Sequence, residues 1–560
     1  MKDDFRHATP QEKASKIIQR WNDLKQQREP FFDYWQQVSK FVAPYSGRFE
    51  KNDHNKRRSQ RFILDSHASH DLNILASGMM SGASSPARPW FKIAPEDADL
   101  AENYQVISWC DQVEQKILQI FQKSNTYNTL HQMYKELGLF GTAVDIVYDD
   151  EKNVIRHHLL TAGEYCVASN AEGVIDTLYR NFELTTIQAV KFFGYDNIPN
   201  DIRQAYDAGN LSIYWEFIHA IEPRIDRDYN AKDNLNMPWA SYYVSVSSNL
   251  VIRESGFKYF PCVVPRWDVL GIDPYGVSPA MEQLPNIKQL QQETLRKAEL
   301  IENYTKPPMQ APNSARQQAI NLSAGAINFT SSTGSEQQIR PIITSVGDLN
   351  AIRQDIAEIK VSIDKGFYTD LFMMVQNTAG DRRTTVEIYA LQQEQMLTLG
   401  AVVERMQNEM LGRLVEIAYN KLYENDLLPE MPQALEDKQL AVKYTSVLSQ
   451  AQKSVDINAV DRFFSALSAS VQIMPEVLDR LDPDGYVDEY RDRLGVAPKL
   501  LRSKEDAQKI RQQRAQAQAQ QQEQLEQMQG LQNDSMMAQA QKTGAEASLA
   551  MQRLDNVGVM

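Results

Sequence analysis

Two amphipathic helices with narrow apolar stripes constrain this chain more than any other feature. The later one spans about residues 348–371, where apolar side chains recur at steps of three or four: Leu349, Ile352, Ile356, Ile359, Ile363 and Phe367. The earlier one begins near Pro279 or Pro285 and ends near Tyr304, with a matching stripe: Ile287, Leu290, Thr294, Leu295, Ala298 and Ile301. Because each helix buries only one side, both are predicted to pack side by side with neighbours.

The segments that follow these two helices differ from them in composition. Residues 306–342 contain four prolines, several Ser and Gly, and short apolar runs such as AINFT. That composition predicts a small extended or mixed module between the two helices. After the second helix, the run VQNTAGDRRTT predicts a loop that carries the basic pair Arg382 and Arg383.

A capping-box pattern marks the start of a further helix. Thr384 precedes Glu387 by three residues, and such a pair satisfies backbone N–H groups at a helix N-terminus. Apolar residues then follow at helical spacing, which predicts one long helix over 386–423. Gly400 and Gly412 are the positions where it is expected to bend if it is not straight.

The rest of the chain falls into helical and strand-rich stretches. Helical patterns cover residues 10–45, with a predicted break at Pro30, then Ser66–Met80, 100–140 and 440–480. Residues 141–270 alternate apolar and polar side chains between turn signals, which predicts a strand-rich block with antiparallel pairing. The tail from Ser503 is rich in Gln and has almost no apolar stripe, so it is either disordered or a helix stabilised by neighbouring copies.

Composition excludes several classes of protein. A chain of 560 residues points to about three or four domains, and 42% apolar with 24% charged residues excludes wholesale disorder and a fibrous repeat. The net charge of −14 disfavours a protein that grips nucleic acid over its whole surface. Three distant cysteines without a CxxC pair predict reduced thiols. No secretory signal and no membrane-spanning run is present, so we expect no membrane partner.

No motif in the sequence indicates catalysis. The P-loop, GxGxxG, GxSxG and HExxH patterns do not occur. His67 and His70 form an HxxH pair beside Asp65 and Asp71, but one helical turn without further ligands is weak evidence for a metal. We therefore predict no catalytic residue, no metal and no cofactor. A first basic cluster, Lys56, Arg57, Arg58 and Arg61, is expected to be a solvated face.

Three segments, in order along the chain, resemble a known family. They are NILASGMMSGASSPARPWFKI, DPYGVSPAMEQLPNIKQLQQETLRKAELIENYTKPPMQAP and DRRTTVEIYALQQEQMLTLGAVVERMQNEMLGRLVEIAYNKL, the last with Thr385 in place of the usual Ala. Together with the order of elements, they resemble the portal protein, or head-to-tail connector, of short-tailed bacteriophages of the T7-like group. The resemblance covers about residues 10–500.

The resemblance implies an architecture of class α+β, mostly α. Its parts are expected as follows: a mixed α/β wing over 1–277 with its strands in 141–270, stem helices over 278–305 and 346–371, a small α/β clip over 306–345, a tunnel loop over 372–385, a long wing helix over 386–427, a helical crown over 428–502 and a Gln-rich helical barrel over 503–560. This placement favours helix for the tail.

The resemblance also implies a function without catalysis. The chain would form a homo-oligomeric ring, usually of twelve copies, at one capsid vertex, through which double-stranded DNA passes during packaging and ejection. Expected partners are the large terminase subunit, tail adaptor proteins, the major capsid and scaffold proteins, and internal core proteins. The protein would be assembled in the host bacterial cytoplasm and reside in the virion. Alternatives are another phage structural ring, such as a tail adaptor or scaffold, or, less favoured, a nucleic-acid enzyme.

Two sets of residues are candidate sites under this interpretation. The tunnel-loop set, expected to face DNA, is Gln376, Asn377, Asp381, Arg382 and Arg383. The clip set, expected to face the motor and then the tail, is Lys306, Arg316, Asn328 and Arg340.

Overall fold

The computed structural model describes residues 8–50, 61–97, 100, 103–231, 233–307, 309–310, 340–341, 349–377, 399–435, 438–446, 485–487 and 504–555. The chain divides into two compact units, Met1–Gln452 and Lys453–Met560. Helices and antiparallel sheets mix within the first unit, which confirms the predicted α+β class. Within these ranges, no helix combines the length and the apolar character needed to cross a bilayer.

Helices are numbered in chain order over the described residues: α1 Pro10–Val42, α2 His67–Ala83, α3 Tyr104–Lys123, α4 Thr126–Phe140, α5 Thr186–Phe193, α6 Asn200–Asp207, α7 Pro279–Glu282, α8 Leu284–Thr305, α9 Leu349–Gly366, α10 Thr369–Asn377, α11 399–406, α12 Arg413–Glu424 and α13 Lys504–Asp555. Strands are β1 Phe91–Pro95, β2 Val144–Asp150, β3 Val154–Leu160, β4 Tyr165–Ser169, β5 Ile175–Thr185, β6 Tyr214–Pro223, β7 Trp239–Ser245, β8 Leu250–Phe257, β9 Cys262–Val263, β10 Met309–Gln310, β11 Arg340–Pro341 and β12 Leu440–Tyr444.

Helix α1 continues through Pro30, so the predicted break there is wrong. A proline inside a helix removes one backbone donor and crowds the preceding turn. Packing on both sides of it outweighs that cost. The first half of the helix buries Trp21 against the large sheet, and the second half buries Trp35 in the main core. The Trp35 indole N–H also donates to the Phe140 carbonyl oxygen at 2.9 Å.

The strand-rich block has the antiparallel pairing that the sequence predicts. Five strands follow in the order β4-β5-β6-β7-β8, each paired with its neighbour along the chain, and a smaller sheet has the order β3-β2-β9. Helices α5 and α6, which lie between β5 and β6, were not predicted from the sequence. Their apolar residues pack with Phe217 and Tyr243 in a separate small core.

The second stripe-bearing helix is shorter than predicted. Helix α9 ends at Gly366, and Tyr368 adopts a left-handed backbone conformation with φ of 56°. Helix α10 then runs from Thr369 to Asn377, so the predicted loop over 372–385 is wrong for its first six residues. The reason is apolar packing, because Leu371 is buried and the Phe372 ring lies so close to Gly78 of α2 that a methyl group there would overlap it.

The long helix is described from residue 399 onward, and residues 386–398 lie outside the described part. Helix α11 and helix α12 are joined by a π-helical segment, Gln407–Gly412, without a chain break. The Gln407 carbonyl oxygen, at the start of this wider turn, accepts a hydrogen bond from the Tyr444 hydroxyl at 2.6 Å. The irregularity thus includes Gly412, one of the two predicted bend positions, whereas Gly400 lies in regular helix.

The predicted helix over 440–480 is wrong at its start. Leu440–Tyr444 is strand β12, paired antiparallel with β1 from Phe91↔Tyr444 to Pro95↔Leu440. The segment is LAVKY, and β1 offers it a free edge to pair with, which a sequence pattern does not reveal. Residues 447–480 lie outside the described part.

The second compact unit contains helix α13, Lys504–Asp555. The tail is therefore helical, as one of the two alternatives predicted, and its stabilisation by neighbouring copies stays a prediction. The side chains described along it are almost all exposed, including Met536 and Leu549. The described side chains therefore provide no buried apolar stripe that would stabilise this helix within one copy.

Candidate functional site

Helices α8 and α9 lie side by side and form the framework of the candidate site. At the end nearest the main core, Ile287 and Leu290 of α8 and Ile359 and Ile363 of α9 are buried. The Asn286 amide of α8 donates to the Ser362 hydroxyl of α9 at 3.2 Å. The two predicted stripes therefore meet in this half of the pair.

The segment before α2 contacts both helices at that end through hydrogen bonds and an ion pair. The Gln291 side chain of α8 accepts from the N–H groups of Leu64 and Asp65 at 2.6 and 2.9 Å and donates to the Asp65 carbonyl at 2.9 Å. Lys360 of α9 pairs with the Asp65 carboxylate at 2.7 Å. Burial alone would raise the pKa of Asp65, but the hydrogen bonds from Lys360 and from the His67 N–H outweigh it and lower that pKa.

A second contact joins α2 to α9. His67 Nε2 lies 2.9 Å from Asp364 Oδ1 and 3.4 Å from Asp71 Oδ2. Asp71 is wholly buried, and burial, aided by the Asp364 carboxylate, raises the pKa of Asp71 to about 7 although His67 opposes the shift. His67 and Asp71 lie on one helix that the sequence pattern predicts. Asp364 was not predicted to join them, because 293 residues separate it from Asp71 and no local pattern links the two.

The far half of α8 lacks such cover. Nothing in α8 beyond Gln291 is buried, and apolar residues there are open to solvent: Leu295 is 47% exposed, Ile301 40% and Tyr304 74%. On α9, Val361 is likewise exposed. An apolar stripe of this kind on a single subunit marks a surface for other protein.

The structure describes two of the four residues of the clip set, and they lie near the two ends of the insert. Lys306 caps the C-terminus of α8, where its N–H donates to the Glu302 carbonyl at 2.7 Å. Arg340 lies in β11, which pairs antiparallel with β10 and so brings together the two ends of the insert. Arg316 and Asn328 lie outside the described residues.

The structure describes two of the five residues of the tunnel-loop set. Gln376 and Asn377 form the last turn of helix α10, so their placement in a loop is wrong. Asp381, Arg382 and Arg383 lie outside the described residues. Of the first basic cluster, only Arg61 is described, and its guanidinium lies over the Phe62 ring at 4.7 Å.

One buried constellation resembles a nucleophilic triad. His157 Nδ1 lies 2.5 Å from Asp145 Oδ2, and Thr126 Oγ1 lies 2.9 Å from His157 Nε2. Thr126 is wholly buried, however, and Asp145 nearly so. A nucleophile must reach its substrate, so this network links strands β2 and β3 to the start of α4 and has a structural role.

The paired helices with one exposed apolar half, and the insert closed at its base, agree with the resemblance inferred from the sequence. The family of bacteriophage head to tail connecting proteins matches residues 14–501. The chain belongs to this family. The predicted role of a portal, the connector at the capsid vertex, is thereby confirmed, and the matched family is one of structural connectors.

Two relatives match this connector over nearly their whole length, and both are named as portal proteins. It is 40% identical over 533 residues to the "Probable portal protein" of Bordetella phage BPP-1, covering 95% of this chain and 94% of that one. It is 35% identical over 510 residues to the "Portal protein" of Salmonella phage epsilon15, covering 90% and 92%. A chain from the neck of an empty gene transfer agent particle matches with 12% identity and a TM-score of 0.38, covering 78% and 91%. At that score the likeness supports no argument about the fold.

Proposed function

We propose that copies of this connector form a closed ring, of twelve subunits, whose central channel passes double-stranded DNA into the capsid during packaging and out during ejection. The observation that carries the proposal is the exposed apolar half of α8. Ile301 continues the stripe that Ile287 and Leu290 begin and Leu295 lies beside it, yet the chain's own core covers only the first half. In a ring every subunit has a neighbour on each side, which would cover the second half.

The same proposal assigns each segment of the chain to a part of the ring. Residues 1–277 would form the wing with the long helix over 386–427 crossing it, α8 and α9 the stem, 428–502 the crown and α13 part of a barrel of neighbouring helices. Exposed apolar residues along α13 support contact between copies: Met528, Met536, Met537 and Leu549. The assembled ring would be built in the host bacterial cytoplasm and remain in the virion beside capsid, scaffold and internal core proteins.

The insert between the stem helices would be the clip that docks other proteins. The pairing of β10 with β11 supports this, because it brings the two ends of the insert together beside the stem helices. Three of its predicted contact residues are cationic: Lys306, Arg316 and Arg340. We propose that the clip binds the large terminase subunit during packaging and tail adaptor proteins afterwards.

The channel would let DNA slide and not hold it. Tight binding needs many cations on phosphates, and this chain carries a net charge of −14. We propose that Arg382 and Arg383, beside Gln376, Asn377 and Asp381, supply brief phosphate contacts from the segment after α10.

Two experiments test these proposals. Electron microscopy of the purified full chain should show rings with a central hole and allow the subunits to be counted, and a chain that stays monomeric under capsid-assembly conditions would contradict the ring. For the channel, Arg382→Glu with Arg383→Glu should reduce packaged or retained DNA per particle. The matched control is Lys152→Glu with Lys191→Glu, two exposed lysines on the first unit. Equal DNA content in both variants would remove the role of the arginine pair.

A further inference from the structure

Helices α2 and α9 bring three metal-ligating side chains together beside the base of the stem pair. We propose that His67, Asp71 and Asp364 bind a divalent transition-metal cation of the zinc or manganese class. Their nearest ligand atoms all lie within 4.8 Å of one another. The proposal holds for the folded subunit and does not depend on ring assembly or DNA passage.

The distances agree with coordination geometry. A tetrahedral ion with bonds of about 2.0–2.1 Å to nitrogen and oxygen holds its ligand atoms about 3.4 Å apart. His67 Nε2 lies 2.9 Å from Asp364 Oδ1 and 3.4 Å from Asp71 Oδ2. Only small side-chain movements are needed to place all three atoms around one ion.

Asp71 supplies a second and independent observation. Its side chain is 0% exposed, and among the described residues neither of its carboxylate oxygens accepts a hydrogen bond. A buried carboxylate that faces only a second carboxylate and an imidazole at 3.4 Å is strongly unfavourable unless a proton or a cation balances it. Because Asp71 is directed toward His67 and Asp364, the proton or cation that balances its charge lies between these three side chains.

The surrounding charges favour a cation over a hydrogen bond within the protein. Among the described residues, Lys360 supplies the ammonium group beside the cluster, and it already pairs with Asp65 at 2.7 Å. Asp71 and Asp364 are therefore left as two carboxylates with one imidazole. A dication balances both. The imidazole ligand favours zinc over calcium or magnesium, and the two carboxylates also suit manganese. His67 and Asp364 are partly exposed, so the ion can enter from solvent and water can complete its shell.

A bound ion would act as a structural link. It would join the start of α2 to α9 one turn from Lys360, next to the Gln291 contacts that hold α8. The orientation of the stem pair relative to α2 would then depend on the metal.

The test uses the full chain without a tag, stripped with EDTA and dialysed. Calorimetric titration and elemental analysis with ZnCl₂ and MnCl₂, and with MgCl₂ for comparison, should give about one zinc or manganese ion per chain. Asp364→Asn and His67→Gln, both at partly exposed positions, should each weaken that binding by at least about tenfold. His70→Gln is the matched control, because His70 is exposed three residues away and binding should not change.

A carboxyl pair that shares a proton is the competing explanation, and the same experiment separates the two. If the ions do not raise the melting temperature of the wild type, and Asp71→Asn is at least as stable as the metal-free wild type, a proton balances Asp71 and the proposal is wrong. Equal ion binding by the wild type and Asp364→Asn would also overturn it. CoCl₂ added to the wild type gives a readout that needs no variant, since visible absorption bands of a cobalt–nitrogen site are expected and an aquo-ion spectrum would contradict the site.

Discussion

The two halves of helix α8 have similar apolar spacing and opposite surroundings. In the first half, Ile287 and Leu290 are fully buried against the core and α9, whereas in the second half Leu295 and Ile301 remain open to solvent. Sequence periodicity shows which face of a helix is apolar, but not which molecule covers it. In a connector protein the difference separates residues that stabilise the subunit from residues that we propose join subunits.

The largest change in stability is expected in the buried half. Ile287→Ala removes a fully buried side chain and should lower the free energy of unfolding by about 3 kcal/mol through lost burial and the cavity left behind. Urea denaturation of the full chain at fixed concentration measures it. Ring formation by the folded fraction should persist, and a variant of normal stability that no longer forms rings would contradict the division between the halves.

A buried carboxyl group should give a pH-dependent effect of about 2 kcal/mol. Burial, aided by Asp111 and opposed by Lys92, raises the pKa of Glu114 to about 7. The native state keeps a proton that the unfolded chain releases, so the wild type should lose stability as pH rises from about 4.5 to about 7. Allowing for solvent screening, Glu114→Gln should be more stable above pH 7 by about 2 kcal/mol and match the wild type below pH 4.5.

The control for this prediction is Glu151→Gln, an exposed carboxylate in the turn between β2 and β3. Thermal unfolding across the pH range measures both variants. Parallel curves for the wild type and Glu114→Gln would show that the carboxyl group is not held protonated.

A single hydrogen bond at the π-helical segment should have a smaller effect. Tyr444→Phe removes the donor to the Gln407 carbonyl oxygen and should lower the free energy of unfolding by about 1 kcal/mol. Hydrogen exchange of the amides in 407–412 should speed up in the same variant. Unchanged exchange there would mean that Tyr444 does not stabilise the wide turn.

The smallest change in stability should accompany the largest change in assembly. Leu295→Glu with Ile301→Glu alters exposed positions and should change the free energy of unfolding by less than about 0.5 kcal/mol, while rings disappear from electron micrographs. Ile225→Glu with Leu270→Glu, at two other exposed apolar positions, should leave rings intact. If both double variants lose their rings, the far half of α8 has no specific role in contact between subunits.

The sequence predicted those elements whose structure follows from local periodicity. The strand meander over 141–270 and the stripe on α8 are examples. It failed where a distant partner decides, as at Leu440–Tyr444, which forms a strand because β1 has an edge to pair with. It failed at Pro30 because packing on both sides holds α1 together. At the candidate metal site, the sequence showed the His67–His70 pair with Asp71 beside it, from which no metal was predicted. Asp364 comes from a helix nearly three hundred residues later.

A cryo-electron microscopy map of the assembled full chain would show directly which molecule covers the far half of α8. We predict a closed ring in which Leu295 and Ile301 of each subunit are buried against the neighbouring copy, with Ile287 and Leu290 still inside their own subunit. A ring in which the far half of α8 faces solvent on all sides would contradict it.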